Sequence, residues 1–309
     1  MPPEARRRSA LVHLASGIGN IVMSTPMLIG LCDLGFAVDV RLDADYAETA
    51  ALFADWHVVR ALVREPDPSR YDAVVAAIPP FYWPRFSAAY RSVARVVRRP
   101  PDSLFYQDEQ EYYFAFARAL GWSAVGRPAY RLPIAPSDRF GVTARTVVLA
   151  PGCKTGEMAA KRWPYFPQLS ERLNGVAVVG THDDLARSDG SPMIFPSHVR
   201  SFVGALSLRD TAELMATAGV VVANDSGLGH LAAAVGTPTL LLFGPTPHTA
   251  LGRLPSHAKV LRAGLPCEPC WFGEKLKACE ARVDCLAALS LDRVQQAVGE
   301  MLEPARVDA

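Results

Sequence analysis

Residues 220–243 read V-V-V-A-N-D-S-G-L-G-H-L-A-A-A-V-G-T-P-T-L-L-L-F. The run at 220–223 is uniformly apolar and rich in valine, as expected of a strand covered on both faces. A polar, glycine-bearing segment follows at 224–230. Small residues at 231–235 then suit a helix packed close to its neighbours, and 239–243 is a second buried strand. Strand, helix and strand in so short a span are the building unit of a parallel sheet.

The same alternation extends in both directions. Downstream, Ser290 and Asp292 open a last amphipathic helix that runs to about Leu302. Upstream, strands are expected at 146–150 and 176–180. Helices are expected at 164–173 and from the capping box at Ser207–Asp210 to about Ala218. The first half repeats the pattern. Strands are read at 10–15, 36–41, 58–63 and 73–78, with a weaker one at 93–97. Helices are read at 21–33, 44–54 and 107–120. Residues 126–145 are rich in proline and polar groups and read as a linker. The expected fold is therefore α/β: two doubly wound, Rossmann-like domains facing a cleft, at residues 1–140 and 141–309. The last helix is expected to return to the first domain.

Composition narrows the function. Of 309 residues half are apolar, and 32 Lys and Arg balance 31 Asp and Glu. A near-neutral chain has no long-range pull toward nucleic acid or an acidic membrane. No run approaches the ~18–20 apolar residues of a membrane helix, which leaves only peripheral membrane contact open. Arg6–Arg8 before an apolar stretch imitate a signal peptide, but His13, Ser16, Gly17, Gly19 and Asn20 interrupt it. A cytoplasmic location is the expectation.

Three loops and a cysteine cluster could carry chemistry. In N-D-S-G-L-G-H, Ser226 and Gly227 would offer backbone N–H groups at a helix N-terminus, where a phosphate is favoured. Asp225 repels phosphate, so it either caps the helix or holds a sugar hydroxyl. His230 is as easily a packed histidine. Residues 151–164 (P-G-C-K-T-G-E-M-A-A-K-R-W-P) follow another strand and gather Lys154, Lys161 and Arg162, cations that suit a diphosphate leaving group. Trp163–Pro164 reads as an anchor. Residues 243–248 (F-G-P-T-P-H) place Thr246 and His248 in a turn that either walls a nucleotide pocket or is only a turn. Cys267, Cys270, Cys279 and Cys285 have the count and first spacing of a structural zinc or iron knuckle, with buried thiols or a redox-dependent disulfide as alternatives.

Taken in order, G-I-G-N-x5-P (17–26), K-R-W-P (161–164), N-D-S-G-L-G-H-L-A-A-A-x-G-T-P (224–238) and F-G-P-T (243–246) resemble the heptosyltransferases, family 9 of the glycosyltransferases. The resemblance implies a GT-B fold with the donor on the C-terminal domain and the acceptor on the N-terminal one. It implies inverting transfer from an ADP-activated heptose to an acceptor hydroxyl on a glycolipid, protein or small molecule, without a catalytic metal. The family's phosphate-contacting lysine falls on Lys161. Its donor motif falls on Asp225, Ser226, Gly227 and His230, and its opening turn on Ser16 through Asn20.

One departure matters. Family members of lipopolysaccharide core assembly usually end that turn in Gly-Asp, and the aspartate is their general base. Asn20 stands in its place, and an amide does not usefully accept a proton. Either the base is displaced to His13, Asp43, Asp45, Asp108, Glu109 or Glu111, or the acceptor supplies its own, or the protein binds a sugar nucleotide without turning it over. A GT-B sugar-nucleotide epimerase is the rival enzyme, and K-R-W-P with D-S-G-L-G-H favours the transferase.

Overall fold

A computed structural model describes residues 7–123, 128–154, 160–270 and 284–303. The chain forms two compact units. One comprises the chain up to Pro133 together with Thr249–Arg253. The other comprises Ile134–His248 and the chain from Leu254 onward.

The first unit is built on a parallel four-stranded sheet: β1 (Ser9–Leu14), β2 (Ala37–Leu42), β3 (Val59–Leu62) and β4 (Ala73–Ala76), in the order β3-β2-β1-β4. All six residues of β1 are buried, as an inner strand of a covered sheet requires. Helices α1 (Ile18–Met23) and α2 (Thr25–Asp33) follow β1. The sequence suggests one helix here. The chain breaks at Ser24, whose hydroxyl donates to the Ile21 carbonyl, and Pro26 falls in the first turn of α2, where its missing N–H is tolerated. Helix α3 (Trp83–Tyr90) follows β4. The helix expected at 107–120 is α5 (Glu109–Ala119), preceded by a short α4 (Asp102–Gln107); between them Asp108 takes an extended conformation, and its side chain accepts from the Glu111 N–H as the N-cap of α5. The weak strand at 93–97 is reduced to a single bridge between Val74 and Val96.

The second unit holds a parallel six-stranded sheet in the order β10-β9-β8-β5-β6-β7. Its elements are β5 (Val147–Ala150), α6 (Phe166–Glu171), β6 (Val176–Val178), β7 (Arg200–Ser201), α7 (Leu208–Thr217), β8 (Val220–Asn224), α8 (Gly227–Ala234), β9 (Thr239–Leu242), β10 (Ala258–Leu261), α9 (Asp284–Ala288) and α10 (Leu291–Leu302). The capping box of α7 forms as its sequence suggests. Helix α8 starts four residues ahead of the expected 231, since Gly227–His230 already wind into its first turn. Gly229 lets that turn lie on the sheet: a Cβ there would sit 2.6 Å from Leu241 Cδ2.

One boundary differs from expectation. The chain enters the second unit at Ile134, not at 141, because residues read as linker pack on α7: the Ser137 N–H donates to Thr217 Oγ1, and Arg139 pairs with Asp210 and Glu213. Val294 and Val298 of α10 are fully buried in the core of the second unit, with Val220, Val222 and Phe166.

Both sheets have a switch point. In the first unit the strand order runs from β1 outward to β3 and then jumps to β4 on the other side of β1. In the second it runs from β5 to β7 and then jumps to β8. The loops leaving the carboxyl ends of those paired strands diverge, and ligands of doubly wound sheets bind there.

Candidate functional site

The switch point of the second unit gathers most of the residues singled out from sequence. Asn224, fully buried at the end of β8, holds the two diverging loops. Its amide donates to the Pro151 carbonyl at 2.5 Å, and its oxygen accepts from the Trp163 N–H at 2.9 Å. Trp163 is fully buried, packs edge-on against Phe166 and donates from its indole to the Leu289 carbonyl. The expected anchor is real, and it sets the position of the two cations before it.

Lys161 and Arg162 then diverge. Lys161 Nζ donates to Asp225 Oδ2 at 3.0 Å. Thr246 Oγ1 donates to the same oxygen at 2.8 Å, and His230 Nε2 lies 3.4 Å from Oδ1. Burial pushes the Asp225 carboxyl up. The charge of Lys161, followed by the His230 and Thr246 contacts, outweighs burial and holds it well below the usual carboxylate range. Asp225 is thus an ionised hub, not a helix cap: neither it nor Ser226 makes a side-chain cap bond to α8. The Ser226 hydroxyl is buried and has no partner among the described residues. An orphaned hydroxyl beside the first N–H groups of α8 is a ready acceptor or donor for a ligand.

Arg162 corrects the sequence reading. It is 2 % exposed, and its guanidinium donates to the carbonyls of Asp183, Ala186 and Cys153. It braces the loop after β5. Gly152 fits the same brace, because a Cβ there would collide with Asp184, whose carboxylate binds Thr181. Lys154 is exposed on this loop. The segment 155–159 lies outside the described residues. Sequence reasoning passed over Asp184, whose signal was the T-x-x-D box at 181–184.

The first unit brings together the opening turn. Ser16 is buried, Gly17 is the N-cap of α1, Gly19 lies in its first turn, and Asn20 is half-buried. Asn20 Nδ2 donates to Glu109 Oε1 at 2.5 Å. His13 is not available as a base. It is 1 % exposed on β1, its Nδ1 lies 2.5 Å from the Tyr90 hydroxyl, and its ring meets Phe86 edge-on. Burial, then the charge of Arg41, lower its pKa to about 3, so the ring stays neutral and takes up protons poorly.

The cysteines divide. Cys267 is exposed and Cys270 half-buried, while Cys285 is buried on α9 against Gly244, where a Cβ would lie 2.8 Å from its sulfur. Burial, then the neighbouring Glu268, push the Cys285 thiol up to about 12. Cys279 lies outside the described residues. Among the described residues no group of three His, Cys, Asp or Glu is placed to hold a metal.

Comparison with known proteins bears on the fold. Residues 130–279 match the family model for glycosyltransferase family 9 (heptosyltransferase). Lipooligosaccharide heptosyltransferase 2 of Haemophilus influenzae is 34% identical over 122 residues, 36% of this chain and 35% of that relative. The match thus spans about a third of the relative's length. Two solved structures are similar over nearly the whole chain. The E. coli ADP-heptose LPS heptosyltransferase II has a TM-score of 0.69 at 19% identity, covering 96% of this chain and 98% of that one. A family 9 glycosyltransferase from Veillonella parvula has a TM-score of 0.75 at 16% identity, covering 97% and 98%. At such identities the likeness is one of fold, and the fold is that of the GT-B class, with its two Rossmann-like units.

Proposed function

Because residues 130–279 carry a glycosyltransferase family 9 domain, we propose that the protein is an inverting glycosyltransferase. It moves a heptose from ADP-heptose to a sugar hydroxyl of a lipopolysaccharide acceptor. The observation that carries this reading is the convergence of Lys161, Thr246 and His230 on Asp225 at the head of α8, inside that domain. The second unit takes the donor. Its diphosphate lies against Ser226, Gly227 and the free N–H groups of α8, and Lys161 turns from Asp225 to the phosphate oxygens. Charge builds on those oxygens as the glycosidic bond breaks, and a preset cation and helix dipole stabilise it there. Asp225, released from Lys161, accepts from a sugar hydroxyl. The first unit takes the acceptor.

The acceptor class follows the printed names of the relatives, and the ADP-sugar follows that of the E. coli neighbour. Among the described residues no helix is long and apolar enough to cross a membrane; the proposed enzyme meets a lipid-linked acceptor from the cytoplasmic side as a peripheral protein. A structural zinc or iron on Cys267, Cys270, Cys279 and Cys285 belongs to the proposal as well. About one equivalent of metal in the purified protein supports it, and none overturns it.

The test is calorimetric titration with ADP-heptose, with UDP-GlcNAc as control, followed by ADP release in the presence of heptose-deficient lipopolysaccharide. Selective binding and release, both removed by Lys161→Ala, are expected. No binding of ADP-heptose sinks the donor assignment. Asn20 motivates one other reading, a non-catalytic sugar-nucleotide binder, which predicts tight binding and no release.

A further inference from the structure

The proposed transfer needs a group that takes the acceptor's proton, and the residue at the end of the opening turn is an amide. Its side chain meets a carboxylate. Asn20 Nδ2 donates to Glu109 Oε1 at 2.5 Å, across 89 residues of chain. Glu109 is the first residue of α5. Three residues on, the Tyr112 hydroxyl donates at 2.8 Å to the carbonyl of Ile78, in the loop leaving β4. The first turn of α5 is therefore tied to the segment after β1 and to the loop after β4. Those two bound the switch point of the first unit, where a doubly wound sheet presents its ligand.

The other acids of this unit named as bases have different work. Asp108 caps α5, and Glu111 pairs with Arg118. Asp43 accepts from the Asp45 N–H and lies 3.7 Å from Arg85, which binds Asp45 at 2.9 Å. His13 is sealed inside the sheet.

We propose that Glu109 is the general base of the transfer and that Asn20 is a positioning residue, its amide holding the carboxylate at the opening turn. The proposal rests on the glycosyltransferase reading above. In the step, the acceptor O–H proton passes to the Glu109 carboxylate and the acceptor oxygen bonds to the anomeric carbon of the heptose. The bond from that carbon to the diphosphate oxygen breaks, and its electron pair leaves with ADP. An amide is the better neighbour for such a base. A second carboxylate at that distance would share a proton with Glu109, whereas Asn20 donates a hydrogen bond and leaves the charge in place.

The experiment measures three things on wild type, Glu109→Gln, Glu109→Asp, Asn20→Ala and Asn20→Asp: ADP-heptose affinity, ADP release with heptose-deficient lipopolysaccharide across pH, and melting temperature. Glu109→Gln should bind ADP-heptose within about twofold of wild type. It should lose roughly 100- to 10,000-fold in kcat, the usual worth of a positioned base, along with the acid limb of the pH profile. Glu109→Asp should keep part of the activity. Asn20→Ala should move the acid limb upward, because a carboxylate that loses a donor holds its proton more tightly. Glu109→Gln keeping kcat within threefold, or Asn20→Asp raising it tenfold as a restored base would, overturns the proposal. Wild type that binds ADP-heptose without releasing ADP also overturns it and leaves donor binding standing. Failure to bind ADP-heptose overturns the glycosyltransferase reading itself.

Discussion

Lys161 and Arg162 are neighbours in sequence with opposite environments. One reaches an ionised carboxylate, and the other is buried among carbonyls that stiffen the loop. Lys161→Ala leaves Asp225 to Thr246 and His230 alone. Removing one partner of a buried pair costs roughly 3–5 kcal/mol, and the residual exposure of these two side chains puts the expected loss near the bottom of that range, read by chemical denaturation. His13 gives a pH prediction. Its folded pKa is about 3 against the ordinary histidine value of 6.5, so the unfolded chain binds the proton first. Its stabilising contribution is whole above 6.5 and is lost as pH falls from there toward 3. Near pH 4.5 the loss is about 2–3 kcal/mol. His13→Gln, which does not titrate, should flatten melting temperature against pH across that window. At this scale the sequence shows which residue types collect, not where their side chains point. The cluster at 161–163 was legible, but the turning of Arg162 inward was not, because three scattered carbonyls decide it. Asn20 drew attention as a missing carboxylate, while its partner on α5 was one acid among several.

Among the elements, Asn224 and Trp163 act as one joint. Asn224→Ala strands the Pro151 carbonyl and the Trp163 N–H in the interior, and each unsatisfied group costs about 1–3 kcal/mol. Trp163→Ala should cost about 3–5 kcal/mol for the lost packing. Urea midpoints at constant slope check both. A fall in slope with Trp163→Ala would instead mean a loosened native state. Strands were the most legible elements, since apolar runs such as 147–150 and 220–224 announce burial on both faces. Helix breaks were not. Ser24 interrupts a stretch whose propensity favours continuation, and the break depends on a local side-chain bond that composition cannot show. The short strands β7 and β10 were missed because β7 is exposed and β10 is only partly covered.

At the scale of the whole molecule, ADP-heptose should stabilise the chain by mass action, by about 2.7 kcal/mol at a hundred times its dissociation constant. A melting shift present in wild type and absent in Lys161→Ala locates that linkage in the second unit; an equal shift in both removes Lys161 from donor binding. The doubly wound topology was readable from the alternation of strands and helices. The junction was not, because residues 134–140 look like linker and pack as structure.

Thr249–Arg253 belongs with the first unit although the chain on either side of it belongs with the second. It is held there by Gln110, whose buried amide donates to the Leu251 and Arg253 carbonyls at 2.6 and 2.9 Å. Recombination among relatives therefore meets a constraint that one junction cannot satisfy. A hybrid that exchanges the amino-terminal half at 133/134 inherits a foreign five-residue strip, and Gln110 must find its two carbonyls in it. Chimeras carrying their own 249–253 should refold in higher yield than chimeras spliced once.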